Sequence, residues 1–278
     1  MTTTTTATTA KRYSTQTENG KKIILHDEAD IEAMRVAGRI AADTLDFIAP
    51  YIKVGVSTAE LDKLCEDFMR AAGSIPATID YHGYKHATCI SVNHVVTHGI
   101  PSDSKFLKTG DILNIDVTPK FNGWHGDTSR TYKVGAVSIL ANRLVAKAYE
   151  AMMAGIAEVR PGATLGDVGA AIDAVAKGAG FSSVRDFCGH GVGEVFHDTP
   201  QVLHYGKRGT GTVLEAGMIF TIEPMINAGH YDVKVLGDGW TTVTKDHSLS
   251  AQFEHTLVVT ETGSEIFTLS KTPETELF

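Results

Sequence analysis

The stretch TGDILNIDVTP, residues 109–119, returns 107 residues later in the chain as AGMIFTIEPMI, residues 216–226. In both copies an apolar run leads to an acidic residue, and the shift places Asp116 on Glu223. A match between two carboxylates is harder to explain by chance than a match between two apolar residues. Similarity at a fixed spacing is the mark of a repeated structural unit, so these stretches predict a chain built from two related halves.

The same shift relates two predicted helices. It aligns Ser57 with Thr164 and Glu60 with Asp167, and each pair has the form of a capping box at the start of a helix. Ahead of the first of these helices, apolar residues recur at helical spacing over residues 28–48. Each half is therefore expected to carry helices as well as strands.

A third pair of segments carries histidines. At a slightly different offset, CISVNHVVTHGIP (89–101) falls on CGHGVGEVFHDTP (188–200), which matches His98 with His197. Together the repeats predict an α+β fold with two halves around a pseudo-twofold axis. A functional site is expected between the halves, because ligand sites form preferentially where two such units meet.

Charge and composition limit the class of protein. The chain has 278 residues, with 25 Lys and Arg against 33 Asp and Glu, which gives a net charge of -8. This acidic balance argues against a nucleic-acid binder held by bulk electrostatics. The sequence contains no apolar run of 18 residues and no secretory signal pattern. We therefore expect a cytoplasmic protein without membrane association.

The chain is expected to form one domain after a short extension. Residues 1–22 are rich in threonine and poor in large apolar residues, which predicts a disordered segment. The predicted domain then covers residues 23–278. The three cysteines, Cys65, Cys89 and Cys188, are too few for a disulfide framework and lack the spacing of a structural zinc site.

An Asn-Gly pair at 122–123 predicts a tight hairpin turn. With a two-residue turn, Asp116 faces Ser129 and Asp127 faces Thr118. Both aspartates then project from the same side of the hairpin, roughly 7 to 8 Å apart at Cα. A three-residue loop without a compensating bulge would place them on opposite faces, so this arrangement depends on the turn.

The second half supplies two more carboxylates, Glu223 in FTIEPM and Glu254 in AQFEHTLVV. Four converging carboxylates would carry about four negative charges, which cannot lie together without neutralisation, and two divalent cations would cancel them. Oxygen ligands alone favour Mg²⁺ or Ca²⁺, whereas an added imidazole favours Mn²⁺, Fe²⁺, Co²⁺ or Zn²⁺. His190, between glycines in CGHGVG, is the best candidate for that imidazole.

These residues lie in motifs that resemble those of the type I methionine aminopeptidases. The resemblance runs from about residue 27 to residue 270 and includes THGIP, NIDVT, HGDTS, GHGVG, FHDTP, TIEPM and FEHT. It implies the pita-bread fold, in which two pseudo-twofold related halves have an antiparallel sheet core and helices on the outside. It also implies a metal-dependent aminopeptidase in the predicted domain.

The resemblance assigns a role to each predicted ligand. It implies that Asp116 binds one metal ion, that Asp127 and Glu254 bridge two ions, and that His190 and Glu223 complete the other ion's ligands. Two divalent ions, of Mn, Fe, Co or Zn, are therefore expected.

The resemblance also implies the catalytic groups and the substrate pocket. Glu223 would carry a proton, His197 would stabilise the oxyanion, and His98 would contact the scissile amide. Eight residues are implied to contact the substrate: Thr78, Tyr81, Tyr84, Cys89, His98, Phe196, His197 and Trp240. Aromatic rings and sulfur suit a methionine side chain. A departure from many bacterial members is Thr97, which stands where they have cysteine.

The implied reaction is removal of the initiator methionine from nascent polypeptides whose second residue is small. A monomer is the family expectation, and a transient ribosome contact is compatible with it. Two alternatives remain open: a proline-type aminopeptidase or dipeptidase of the same fold, and a non-catalytic ribosome-binding protein. The first usually carries a large additional N-terminal domain, and the second would be expected to lose ligands.

Overall fold

The computed structural model describes residues 11–273. Within this range the α-helices are α1 (Glu28–Ile48), α2 (Thr58–Ala71), α3 (Ile139–Ala157) and α4 (Leu165–Gly178). The strands are β1 (Arg12–Glu18), β2 (Lys21–Leu25), β3 (Ile75–Pro76), β4 (Thr88–Val92), β5 (Val95–Thr97), β6 (Ile112–Val117), β7 (Pro119–Phe121), β8 (Trp124–His125), β9 (Thr128–Lys133), β10 (Ser182–Ser183), β11 (Gly189–Gly191), β12 (Asp198–Val202), β13 (Ile219–Ile222), β14 (Met225–Asn227), β15 (Val233–Val235), β16 (Thr242–Thr244), β17 (Ser250–Gln252), β18 (His255–Val259) and β19 (Ser264–Ile266).

The two halves repeat one arrangement of strands. In the first half, β6 lies between β4 and β9 in an antiparallel sheet. In the second half, β13 lies between β11 and β18, and β12 and β19 extend the sheet at its two edges. Helices α1 and α2 precede the first sheet, and α3 and α4 precede the second. The predicted α+β fold with two related halves is confirmed.

The helices begin where the capping residues predict. Ser57 and Glu60 form a capping box at α2, and Thr164 and Asp167 form the equivalent box at α4. Asp27 caps α1 by accepting hydrogen bonds from the backbone N–H groups of the first turn. Each cap satisfies amide groups that have no partner within the helix.

Each half has its own apolar core between its helices and its sheet. In the first half, α1 and α2 bury Leu45, Leu61 and Met69 against Ile90 and Ile115 of the sheet. The core of the second half joins α3 and α4 to β13 and β18 in the same way, through Leu144, Met152, Ile172, Phe220 and Leu257. In each half the core therefore covers one face of the sheet, and the opposite face is available to form a site.

The hairpin between β6 and β9 has the predicted register. Asp116 pairs with Ser129 across the two strands. The turn lies at Asn122 and Gly123, with φ angles of 48° and 95°, which a type I′ turn requires at both positions. Asp127 accepts a hydrogen bond of 2.8 Å from the Thr118 hydroxyl. The two-residue turn thus places both aspartates on one side, as the sequence predicts.

The two sheets meet along a seam next to the predicted ligands. The Glu254 N–H donates to the Ser129 carbonyl at 3.0 Å. The Thr128 hydroxyl donates to the Glu254 carbonyl at 2.6 Å, and the Thr256 hydroxyl donates to the Asp127 carbonyl at 2.6 Å. These bonds fix the backbone at Asp127 in the first half and at Glu254 in the second half.

The expectation that residues 1–22 are disordered is wrong for the part of that segment seen here. Residues 12–25 form an antiparallel hairpin of β1 and β2 that continues directly into α1. Its ordering comes from contacts with residues almost two hundred positions away, which composition does not reveal. The first ten residues lie outside the described range.

Among the residues described, no helix combines the length and the apolar character needed to cross a membrane.

The close approach of α1 to the hairpin gives a stability prediction. A Cβ at Gly126 would lie 2.2 Å from the Ala37 carbonyl oxygen. We expect Gly126→Ala to lower the free energy of unfolding by about 2 to 3 kcal/mol, the range of overpacked sites. Gly178→Ala is the control, since a Cβ there meets nothing within 4 Å. Urea unfolding of both variants is the measurement, and equal stability of the two would contradict the packing argument.

Candidate metal centre

Four acidic side chains converge where the two sheets meet. Asp116 lies on β6, and Asp127 directly precedes β9. Glu223 follows β13, and Glu254 directly precedes β18. Only 4% of Asp127 and 3% of Glu254 is exposed to solvent. Equivalent strands of the two halves therefore deliver one pair of carboxylates each.

Burial changes the acidity of all four groups. It raises the pKa of Asp127 to about 7, although the hydrogen bond from Thr118 lowers it. Burial and then repulsion from Asp127 raise the pKa of Asp116, Glu223 and Glu254 well above the ordinary value. The shifts express the cost of holding negative charges close together away from water.

His190 lies among these carboxylates. Its Nε2 is 3.5 Å from Asp127 Oδ2 and 3.6 Å from Glu223 Oε1. Its Nδ1 is 3.0 Å from the Gly191 carbonyl oxygen. Because a carbonyl can only accept, Nδ1 carries the proton and Nε2 presents a lone pair to the carboxylates. Burial lowers the pKa of His190 to about 4, so the ring is neutral.

This donor set fits a divalent cation. Asp127, His190 and Glu254 each offer a ligand atom, and the three atoms lie within 4.8 Å of one another. Asp116 and Glu223 stand next to them and add two more carboxylates. Carboxylate oxygens with one neutral imidazole are ligands of first-row transition metals. The described residues around the site include no lysine or arginine, so bound protons or a cation must neutralise the carboxylates.

The carboxylates form the floor of a cavity of about 330 Å³. Twelve of the thirteen predicted site residues line it: Thr78, Tyr81, Tyr84, His98, Asp116, Asp127, His190, Phe196, His197, Glu223, Trp240 and Glu254. The thirteenth, Cys89, does not line it. Cys89 pairs with Asp116 across β4 and β6 and is buried beside the Tyr84 hydroxyl, and its contact with the substrate stays a prediction.

His197 lies beside the candidate metal ligands. Its ring centroid is 4.1 Å from that of His190. Its Nδ1 is 2.8 Å from the Tyr81 hydroxyl. Burial, and then the neighbouring imidazoles, lower the pKa of His197 to about 3. A neutral His197 that accepts from Tyr81 at Nδ1 would carry its proton on Nε2.

His98 has a strained backbone. Its φ is 56°, in the left-handed region, where a residue with a Cβ is held only by its surroundings. The ring packs edge-on against Phe187, with centroids 5.4 Å apart. Burial lowers the pKa of His98, so this imidazole is also neutral near pH 7.

Aromatic rings form the wall of the cavity. Tyr81 packs on Phe196 with ring centroids 4.9 Å apart, and Tyr84 packs on Trp240 with centroids 5.0 Å apart. The Tyr84 hydroxyl donates to the Thr88 carbonyl at 2.8 Å. With its hydroxyl bonded in this way, the Tyr84 ring is fixed, and the wall suits an apolar, polarisable side chain.

Several residues that line the cavity were not predicted as site residues. They are Thr97, Thr118, Asp186, Phe187, Cys188 and Met225. Two further residues contact Glu223. His204 Nε2 accepts a hydrogen bond from the Glu223 backbone N–H at 3.2 Å, and the Gln252 side-chain amide lies 3.4 Å from the Glu223 carboxylate.

A signal for one of these positions was present in the sequence. Gln252 stands two residues before Glu254, and His125 stands two residues before Asp127. His125 Nδ1 bonds the Gly193 carbonyl at 2.7 Å, and its ring stacks on Phe196. Buried polar residues at matched positions of a duplicated chain could therefore have been proposed as supports of the site.

Comparison with known proteins agrees with this geometry. Residues 32–261 match the family described as metallopeptidase family M24. The methionine aminopeptidase of Rickettsia prowazekii is 55% identical over 249 residues, which cover 89% of this chain and 96% of the relative. That of Escherichia coli is 53% identical over 243 residues, 87% of this chain and 92% of the relative.

A solved structure gives the same result for the fold. The crystal structure of methionine aminopeptidase from Rickettsia prowazekii superposes with a TM-score of 0.88 at 55% identity, covering 89% of this chain and all of that chain. This similarity confirms the pita-bread fold. By sequence and by structure, the chain belongs to metallopeptidase family M24 and, within it, to the methionine aminopeptidases, which are metal-dependent aminopeptidases.

Proposed function

We propose that the protein hydrolyses the peptide bond after an N-terminal methionine, using two divalent metal ions held between the halves of the chain. The observation that carries this proposal is a single cavity with two kinds of wall. One side presents four carboxylates and a neutral imidazole, and the other presents aromatic rings. The first suits cations, and the second suits a thioether side chain.

The residues that would hold the ions are Asp116, Asp127, His190, Glu223 and Glu254. Bound divalent ions supply a Lewis acid for the scissile carbonyl and lower the pKa of water to near neutrality. The single imidazole favours Mn²⁺, Fe²⁺, Co²⁺ or Zn²⁺ over Mg²⁺ or Ca²⁺. In the repeat, Ser91 takes the place of His190, so the two ions would have unequal ligands.

Glu223 is the proposed carrier of a proton. Its Oε1 accepts from the Thr221 hydroxyl at 2.8 Å, which orients the carboxylate. As a carboxylate it can take a proton from the attacking water and give it to the leaving amine.

His197 is the proposed donor to the developing oxyanion. With Nδ1 on the Tyr81 hydroxyl, its Nε2–H is available to the substrate carbonyl oxygen as negative charge forms there. A neutral imidazole donor suits this role, because it loses no proton to the oxyanion. His98 lines the same cavity, and contact with the scissile amide is its proposed role.

The family resemblance adds the natural substrate. We expect nascent polypeptides with a free amino terminus and a small second residue to be cleaved. The aromatic wall favours methionine over the proline that defines the alternative peptidases of this fold. The intact donor set argues against a non-catalytic binding protein. A monomer, a cytoplasmic location and a transient ribosome contact remain predictions.

The direct test is methionine release from Met-Gly and Met-Leu peptides by metal-stripped protein titrated with Mn²⁺. We expect release to require the metal and to be at least about tenfold faster, in kcat/KM, for Met-Gly. One missing or added group in a fitted pocket is worth about this much. Equal rates for the two peptides would contradict the proposed preference for a small second residue.

A pair of variants serves as the control for that titration. Asp127→Asn removes a proposed bridging ligand and should reduce kcat/KM by about a hundredfold or more. Asp103→Asn makes the same chemical change at an exposed residue outside the cavity and should leave kcat/KM unchanged. Folded protein that releases no methionine at any Mn²⁺ concentration would overturn the proposal.

The raised carboxyl pKa values predict how stability depends on pH without metal. From about pH 5 to 7 the carboxyl of Asp127 is ionised in the unfolded chain, since its ordinary pKa is about 4. The folded chain still binds a proton there, because burial raises the pKa of Asp127 to about 7. The contribution of Asp127 to the free energy of unfolding should therefore be lost as pH rises toward 7, by up to about 1.4 kcal/mol per pH unit.

Thermal unfolding of the metal-free parent and of metal-free Asp127→Asn at about pH 5, 6 and 7 measures this slope as the difference between the two proteins. The buried histidines, whose lowered pKa values act below about pH 6.5, are present in both proteins and cancel in that difference. Saturating Mn²⁺ should remove the fall, because metal binding requires deprotonated carboxylates. A metal-free slope that is flat or rising would contradict the account of the site.

A further inference from the structure

The N-terminal hairpin, residues 11–25, docks on the segment that leads out of the site. Its side-chain contacts with that segment are Lys11 with Glu194, Ser14 with Glu215, Gln16 with the Val213 backbone in both directions at 2.8 Å, Glu18 with the Gln201 N–H at 2.8 Å, and Lys21 with Asp198 at 2.7 Å. Five residues of the hairpin, on both of its strands and at Lys11 just before them, therefore bind the segment 194–215.

Residues 193–198, named here the His197 loop, carry two cavity residues. Phe196 and His197 line the cavity, and the acidic residues Glu194 and Asp198 stand on either side of them in the sequence. Both of these acidic residues pair with lysines of the hairpin, Glu194 with Lys11 and Asp198 with Lys21. The two ion pairs thus bracket the imidazole proposed to bind the oxyanion.

The inner side of the loop has its own contacts. His125 donates its backbone N–H to the Gly193 carbonyl at 3.0 Å, and its ring stacks on Phe196 with centroids 5.5 Å apart. The Tyr81 hydroxyl bonds His197 Nδ1. The loop is accordingly held on its inner side by His125 and Tyr81 and on its outer side by the hairpin.

The ion pairs matter more for position than for stability. The side chain of Lys21 is 64% exposed and that of Asp198 17% exposed, and such partly exposed pairs add little to the free energy of unfolding. A displacement of a catalytic group by 1 Å, however, can cost about a hundredfold in rate. Loss of two weak contacts can therefore slow a reaction in a chain that remains folded.

We propose that Lys11 and Lys21 are positioning residues that fix the His197 loop for catalysis. The hairpin lies before residue 32, where the match to the family model begins. The inference rests on the proposed role of His197, and its test includes a measurement that needs no activity.

The test compares Lys11→Met/Lys21→Met with Lys22→Met. Lys22 is on the same hairpin and is exposed, and its Nζ lies over the Tyr13 ring, 5.8 Å from the centroid. In the double variant we expect amide hydrogen exchange of residues 194–198 to be about tenfold faster. We expect kcat for Met-Gly to fall about threefold to tenfold with KM changed less than about twofold, because the oxyanion contact forms in the transition state.

Rescue separates positioning from general destabilisation. Lys11→Arg/Lys21→Arg keeps both ion pairs and should restore the exchange rate and kcat to within about twofold of the parent. Unchanged exchange at 194–198 in the methionine double variant would overturn the proposal, as would an equal loss of kcat in Lys22→Met. Faster exchange spread evenly over the chain would overturn it too. Exchange is measured on metal-free protein, so failure of the proposed peptidase activity would be seen separately.

Discussion

Four acidic side chains buried together, with no lysine or arginine among the described residues around them, are the constraint on which the rest of the structure depends. Asp116, Asp127, Glu223 and Glu254 repel one another, and burial makes this repulsion costly. The chain meets the cost by placing the groups on rigid strands, with apolar cores behind both sheets. Without a cation, the repulsion and burial of these groups destabilise the folded chain. A divalent cation bound among them would relieve that cost.

The duplicated architecture explains how the constraint is met. Each half delivers two carboxylates from equivalent places in its sheet, and the seam joins the halves through the backbones of Asp127 and Glu254. The copies have diverged where the chemistry requires it. His190 on β11 stands where β4 has Ser91, so a symmetric scaffold holds an asymmetric set of ligands.

Local signals made most of the fold and site predictable from the sequence. The Asn-Gly turn fixed the register that brings Asp116 and Asp127 to one face, and the capping boxes fixed two helix starts. What escaped prediction depends on contacts between distant residues. Residues 12–22 are ordered by contacts with residues 198–215. Composition and spacing carry no information on those contacts.

The most direct measurement of the central claim is anomalous X-ray diffraction from crystals of metal-stripped protein reloaded with Mn²⁺. The account predicts two manganese peaks about 3.5 to 4 Å apart, both lying among the four carboxylates, with His190 next to one of them. Manganese found only at other acidic residues, with no peak among Asp116, Asp127, Glu223 and Glu254, would contradict it.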